Sequence, residues 1–190
     1  MLQAARRIFY EKGYSGASID DIIEAADIAR GTFYLYFESK RAIFDELLDE
    51  LFRTLQSKVS RIDVSPGAPP PVAQMDATVD KVFATLLEHR ELARILLREA
   101  VGIDADFDRK LGDFWGRIRS MIASAVKTGQ EMQLVRECDP DIVAHCVLGA
   151  IKECVHWSFV EGDPAEGRPD HRHLGREMIA FTLLGLFKTG

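Results

Sequence analysis

The segment Arg30-Gly31-Thr32-Phe33-Tyr34-Leu35-Tyr36-Phe37-Glu38-Ser39-Lys40 gathers cations, hydroxyls and aromatics into one stretch of helical pattern. On a helix, Phe33 and Phe37 stand four apart on one face and suit a small core. Arg30, Thr32, Tyr34 and Tyr36 then fan around the remaining surface. Guanidinium, hydroxyl and phenol groups displayed in this way suit base edges and phosphates, and Lys40 suits a phosphate. The chemistry expected is recognition of DNA and not catalysis. No Ser/His/Asp arrangement, glycine-rich phosphate loop, HExxH helix or pair of carboxylates stands out in the chain, so an enzyme is not expected.

Such a segment needs a scaffold that presents it outward, and the residues before it supply one. Ser18 is a good N-cap for a helix carrying Ile19, Ile22, Ile23 and Ala26, with Asp20, Asp21 and Glu24 toward its positive end. Ala26-Asp27-Ile28-Ala29 makes a tight turn. Upstream, Leu2, Ala5, Ile8 and Phe9 form the apolar stripe of a first helix that ends near Lys12-Gly13, where glycine can take a left-handed conformation. Three short helices result, with a helix-turn-helix over about 18–37.

With these residues in place, ARRIFYEKGYSGASIDDIIEAADIARGTFYLYFESKRAIFDELL resembles the N-terminal domain of the TetR family of bacterial transcriptional repressors. The likeness covers roughly residues 3–50, and its elements fall in the right order and spacing. It implies DNA contacts from Ser18, Ala29, Arg30, Gly31, Thr32, Tyr34, Tyr36 and Lys40. Two positions depart from the family pattern. The turn has Asp27 where glycine is usual, and aspartate visits positive φ at tolerable cost. Ala29 stands where serine or threonine is common, which leaves Asp27 to cap the recognition helix.

Composition bounds the reading. The chain has 190 residues, 47% of them hydrophobic, which suffices for a small domain and a larger one. No run of about 18 apolar residues could span a membrane. No signal segment is read ahead of the first helix, and three cysteines fit a reducing cytoplasm, so a cytoplasmic protein is expected. The net charge of -6, with six Lys/Arg against six Asp/Glu in residues 1–41, gives no global basic footprint. Specific binding then depends on a local cluster of Arg30, Lys40 and Arg41, with the acids of the second helix facing away. Weak non-specific affinity with a steep salt dependence is expected.

From Ser39 a long helix is expected to about Ile62, with Phe44, Leu47, Leu48, Leu51, Phe52, Leu55, Val59 and Ile62 on one side. At 1.5 Å per residue it would run roughly 36 Å and link two domains, residues 1–45 and 46–190. A proline-rich loop follows at Val64 to Pro71. Further helical patterns run Val72 to Glu88, Leu92 to Val101 stopped by Gly102, Asp106 to Lys127 stopped by Gly129, Asp141 to Val160 opened by Asp139-Pro140, and His171 to Phe187. No strand alternation appears. The fold class is therefore all-α, an N-terminal three-helix helix-turn-helix domain joined by a long helix to a helical ligand-binding and dimerisation domain.

The resemblance also implies a homodimer through the last two long helices and a palindromic double-stranded DNA operator. Phe181, Leu184 and Gly185 on an unusually apolar last helix, with Gly149, Ala150 and Lys152 on the helix before it, are the candidate interface residues. It further implies an effector pocket, for which Phe83, Leu87, Phe107, Phe114, Trp115, Ile118, Met121, Ile122 and Trp157 are candidate lining residues, with Arg117, His89 and His156 as polar anchors. Arg117 is the one cation beside that apolar stripe, so a hydrophobic or amphipathic small molecule is expected over a polyanion.

No cofactor or metal is expected. Cys146 and Cys154 lie about 12 Å apart along one helix, and His145 and His156 about 16 Å, too far to share an ion. The cysteines read as buried thiols. The expected function is a cytoplasmic repressor whose two recognition helices sit about 34 Å apart, until an effector shifts the population to a spacing that no longer fits DNA. An effector-independent DNA-binding regulator is the alternative, followed by a helical enzyme or carrier.

Overall fold

A computed structural model describes residues 1–99, 105–160 and 170–186. Every regular element among them is helical, and they divide into two compact units. One holds Met1–Thr54 and His89–Phe114, the other Leu55–Glu88 and Trp115–Gly190.

In the first unit, α1 (Leu2–Gly16), α2 (Ile19–Ala26) and α3 (Arg30–Tyr36) precede the start of α4 (Lys40–Lys58). The apolar stripe of α1 buries Ala5, Ile8 and Phe9. Phe9, Tyr14 and Phe44 make a three-ring cluster with centroids 4.9–5.6 Å apart, close to the preferred spacing of edge-to-face aromatics. The regular helix of α1 breaks at Gly13 as expected, with the glycine at a positive φ of 69°, and a further short helical turn runs on to Gly16. Phe44, Leu47, Leu48, Leu51 and Phe52 of α4 complete this core, together with Leu92 and Ala93 of α6 (Arg90–Arg94) and Ile95 and Leu96 of the π-helical turn that follows it. α6 and that turn both pack on α1. Gly102, expected to end this helix, lies outside the described residues.

α4 is shorter than its apolar pattern suggested. It ends at Lys58, and Val59 and Ile62 lie beyond it, half-buried. At 1.5 Å per residue its 19 residues run about 28 Å.

In the second unit, α5 (Pro71–Glu88) packs chiefly on α9 (His171–Leu186), and α9 also meets α8 (Pro140–Val155). Gly175 permits the α5 approach, since a Cβ there would lie 3.2 Å from Val79 Cγ1. Asp139 caps α8 by accepting from the Asp141 and Ile142 amides, with Pro140 in the first turn, as its sequence signal predicts. A π-helical turn, His156–Val160, continues α8. α7 (Ala105–Glu131) runs through Gly129, which was expected to stop it. The glycine is needed there for space, because a Cβ would sit 2.7 Å from Val135 Cγ2 of the returning chain. No described helix is long and apolar enough to cross a membrane.

Candidate nucleic-acid interface

The turn between α2 and α3 begins with how α2 is held. Ser18 Oγ accepts from the Asp21 amide at 3.1 Å and Asp21 Oδ2 accepts from the Ser18 amide at 2.9 Å, a reciprocal capping box with Asp in place of Glu. The Lys12 ammonium, 2.6 Å from Asp21 Oδ1, is the main reason the Asp21 pKa drops from 3.8 to about 2, with the Ser18 amide and hydroxyl adding to the effect. At the other end Asp27 takes φ 53°, ψ 52°, and its amide closes α2 onto the Ile23 and Glu24 carbonyls. Aspartate thus fills the left-handed position as expected. It does not cap α3: the N-cap is Ala29, with no side-chain hydrogen bond. In the left-handed conformation Asp27 already terminates α2, two residues short of the capping position.

α3 buries Phe33 completely, while Phe37 is half-buried with its ring 6.0 Å from that of Phe33. Tyr34, Leu35 and Tyr36 are 47%, 81% and 72% exposed. Arg30 and Gly31 are also exposed, Thr32 is half-buried, and nothing lies within 4 Å of a Cβ built on Gly31. At about 100° per residue, Gly31 and Leu35 lie roughly opposite Phe33, with Arg30 and Tyr34 on one flank and Thr32 and Tyr36 on the other. Leu35 was absent from the sequence-based candidates, although its four-residue spacing from Gly31 and its position off the Phe33 face could have shown it.

Two cations depart from expectation. Arg30 is not flanked by acids that face away, since its guanidinium pairs with the Asp20 carboxylate on α2. Asp20 lies in the first turn of α2, and only the packing of α2 against α3 brings it within reach. Lys40 Nζ donates to the Tyr14 and Ala17 carbonyls at 2.7 and 2.8 Å and stands 4.6 Å from the Tyr14 ring centroid. Burial lowers its pKa. Two of its three donors therefore close the end of α1 and fix α4 to it. Ser39 Oγ accepts from the Ala42 amide, so the Ser-Lys pair caps one helix and latches another.

The other candidates fall on separate elements. Of the proposed effector contacts, Phe114 is buried in the first unit against Phe52, ring centroids 6.4 Å apart. In the second unit Phe83 and Ile118 are buried, Trp115, Met121 and Ile122 are half-buried, and Leu87 and Trp157 are exposed. The Phe107 side chain lies outside the described residues. Of the polar anchors, Arg117 is exposed and His89 and His156 are half-buried. Lys152 also brings an ammonium to the aromatic stripe, 4.6 Å from the Trp115 centroid. The sequence places Lys152 among the expected interface residues. Its position one turn beyond Leu148 directs it toward α7.

Among the interface candidates, Gly149 is exposed with open space around it, Ala150 is half-buried and Phe181 is 76% exposed. The side chain of Leu184 and the surroundings of Gly185 lie outside the described residues. Cys146, expected as a buried thiol, is exposed, and Cys138 and Cys154 are half-buried. Cys146 shares the outward stripe of α8 with Ile142 and Gly149, which explains its exposure in a single chain. Burial, then the neighbouring Glu153, raises the Cys154 pKa.

The chain is similar to known proteins in both of its parts. Residues 1–47 match the model of "Bacterial regulatory proteins, tetR family" and residues 68–186 that of "Tetracyclin repressor-like, C-terminal domain". The HTH-type transcriptional repressor DhaR of Mycobacterium sp. (strain GP1) is 34% identical over 88 residues, which span 46% of this chain but only 42% of DhaR. The fold is shared with SmeT of Stenotrophomonas maltophilia in complex with triclosan, at TM-score 0.78, 22% identity and coverage of 100% and 90% of the two chains. It is shared too with FadR of Bacillus subtilis in complex with stearoyl-CoA, at TM-score 0.76, 18% identity and coverage of 97% and 96%. With both of its halves matched by family models, the chain belongs to the TetR family of bacterial regulatory proteins, a family of transcriptional regulators and not of enzymes.

Proposed function

We propose that this protein is a cytoplasmic, dimeric repressor that binds a palindromic DNA operator and leaves it when a small hydrophobic or amphipathic molecule binds. Residues 1–45 form the DNA-binding domain and residues 46–190 the effector-binding and dimerisation domain. The observation that carries the reading is the outward side of α3, where Arg30, Gly31, Tyr34 and Tyr36 are exposed around a buried Phe33. Arg30 reads a base edge in the major groove, and Thr32, Tyr34 and Tyr36 contact its walls. Ser18, Ala29 and Lys40 lie against the phosphate backbone.

Dimerisation uses the outward stripe of α8, at Ile142, Cys146 and Gly149, with Phe181 of α9. These are apolar or small side chains at helical spacing with no cover in the single chain. An isologous dimer presents two recognition helices about one turn of DNA apart, hence the palindrome. The effector lies among Phe83, Trp115, Ile118, Met121 and Ile122 of α5 and α7, with Lys152 as its polar contact. The stearoyl chain of the stearoyl-CoA on FadR and the triclosan on SmeT support a hydrophobic or amphipathic ligand. Binding shifts the dimer toward a state whose helix spacing no longer fits DNA.

The experiment is release of a fluorescent operator across a panel of fatty acyl, aromatic and polyanionic compounds. Release by acyl or aromatic compounds is expected. Release by a polyanion alone overturns the effector class, and release by none favours an effector-independent regulator.

A further inference from the structure

We infer that Leu35 is a sequence-reading residue that recognises the C5-methyl group of a thymine in the major groove. This rests on the reading of α3 as the DNA-recognition helix. Leu35 is 81% exposed, the most exposed of the large apolar side chains described, on a seven-residue helix whose Phe33 is completely buried. So large an apolar surface left in water is a cost that packing within the chain does not offset. Its place on the helix shows where that surface is directed. With roughly 100° per residue, Leu35 and Gly31 form the ridge opposite Phe33, the line of α3 farthest from the protein core.

The two ridge residues act together. Nothing lies within 4 Å of a Cβ at Gly31, so the fold does not demand glycine there for its own packing. Its φ is also not among the positive ones. A bare backbone on the outer ridge lets α3 settle deeper against whatever it faces. The side chain one turn on, Leu35, then reaches farthest. The polar groups Arg30 and Tyr34 stand on one flank and Thr32 and Tyr36 on the other.

In a major groove that geometry sends the ridge to the floor and Thr32, Tyr34 and Tyr36 to the walls, while the long Arg30 side chain reaches a base edge from its flank. Leucine has no donor or acceptor, so of the groups exposed on that floor only the thymine methyl offers it an apolar partner. Against cytosine, Leu35 would instead cover an amino donor and leave it unpaired. It therefore distinguishes thymine by attraction and cytosine by desolvation.

The test begins with full-length protein selecting duplexes from a random-sequence pool, after which each thymine of the selected site is replaced in turn by deoxyuridine, which lacks only the methyl. Wild type is expected to lose about fourfold in affinity at one thymine of each half-site, the value of one buried methyl group. Leu35→Ala is expected to bind the thymine duplex more weakly and to be indifferent to deoxyuridine at that position. The residue is exposed, so Leu35→Ala folds, as circular dichroism would verify.

A wild type insensitive to deoxyuridine everywhere, a selected site without thymine, or a Leu35→Ala variant that keeps the discrimination would each overturn the assignment while leaving DNA recognition intact. Failure of the wild type to enrich any sequence would remove the DNA reading itself, and Leu35 with it.

Discussion

The Asp20 carboxylate of α2 pairs with the Arg30 guanidinium of α3, on a surface where the two side chains are 69% and 62% exposed. An exposed pair of this kind contributes about 0–1 kcal/mol, so DNA can displace the carboxylate at little cost. On the proposed reading of Arg30 as a base contact, Asp20 orients its guanidinium without preventing its use, and repels phosphates that approach without offering Arg30 a base.

This predicts opposite effects from the two partners. Arg30→Ala should lose about 1–3 kcal/mol on a selected operator and little on random duplex. Asp20→Asn should bind random duplex more tightly and narrow the ratio between operator and random DNA. Fluorescence anisotropy at two salt concentrations measures both. An Asp20→Asn variant with unchanged affinity for random duplex would show that the pair has no influence on recognition.

The capping box at Ser18 gives the first unit an acid-sensitive point. The folded-state pKa of Asp21, lowered to about 2 from 3.8, means that its contribution to stability is present above about pH 4 and is lost as pH falls toward 2. Thermal unfolding followed by circular dichroism should show this decline, and Asp21→Asn should flatten it and lower stability at neutral pH. An unchanged acid limb in the variant would mean that Lys12 and Ser18 do not hold the carboxylate in solution.

Gly129 is tightly size-restricted, with a Cβ position 2.7 Å from Val135 Cγ2. Gly129→Ala should therefore destabilise by about 1–3 kcal/mol through overpacking, despite alanine's better helix propensity. Val135→Ala in the same chain should recover part of the loss. A Gly129→Ala variant more stable than wild type in chemical denaturation would rule out the close contact.

Gly149 has open space around it in the single chain, so a large charged residue there should leave the protomer folded. Gly149→Glu is expected to sediment as a monomer in analytical ultracentrifugation, where wild type sediments as a dimer. A folded Gly149→Glu variant that remains dimeric would place the interface away from the outer stripe of α8.

What the sequence made legible was local. Ser18 as the N-cap of α2, Asp27 at the left-handed position, and Asp139 ahead of Pro140 are signals contained within a single turn, and each takes that place in the structure. What stayed hidden depends on residues brought together by folding. Gly129 looked like a helix stop because its real constraint is Val135 on a returning segment. Lys40 looked like a free cation because the carbonyls it meets are 23 and 26 residues away. Apolar spacing carried α4 four residues too far, since Val59 and Ile62 can be half-buried outside a helix as well as within one. Leu35 was overlooked because an apolar residue among polar neighbours reads as core until its exposure is known.

The most direct test of α3 as the DNA-reading element is selection of duplexes from a random pool by full-length wild type, with the Arg30→Ala protein run in parallel. Wild type should enrich one palindromic sequence whose half-sites lie about one helical turn apart, and Arg30→Ala should enrich the same sequence weakly or with one base position relaxed. Enrichment of no sequence by wild type, or identical enrichment by both proteins, would contradict a recognition helix at Arg30–Tyr36.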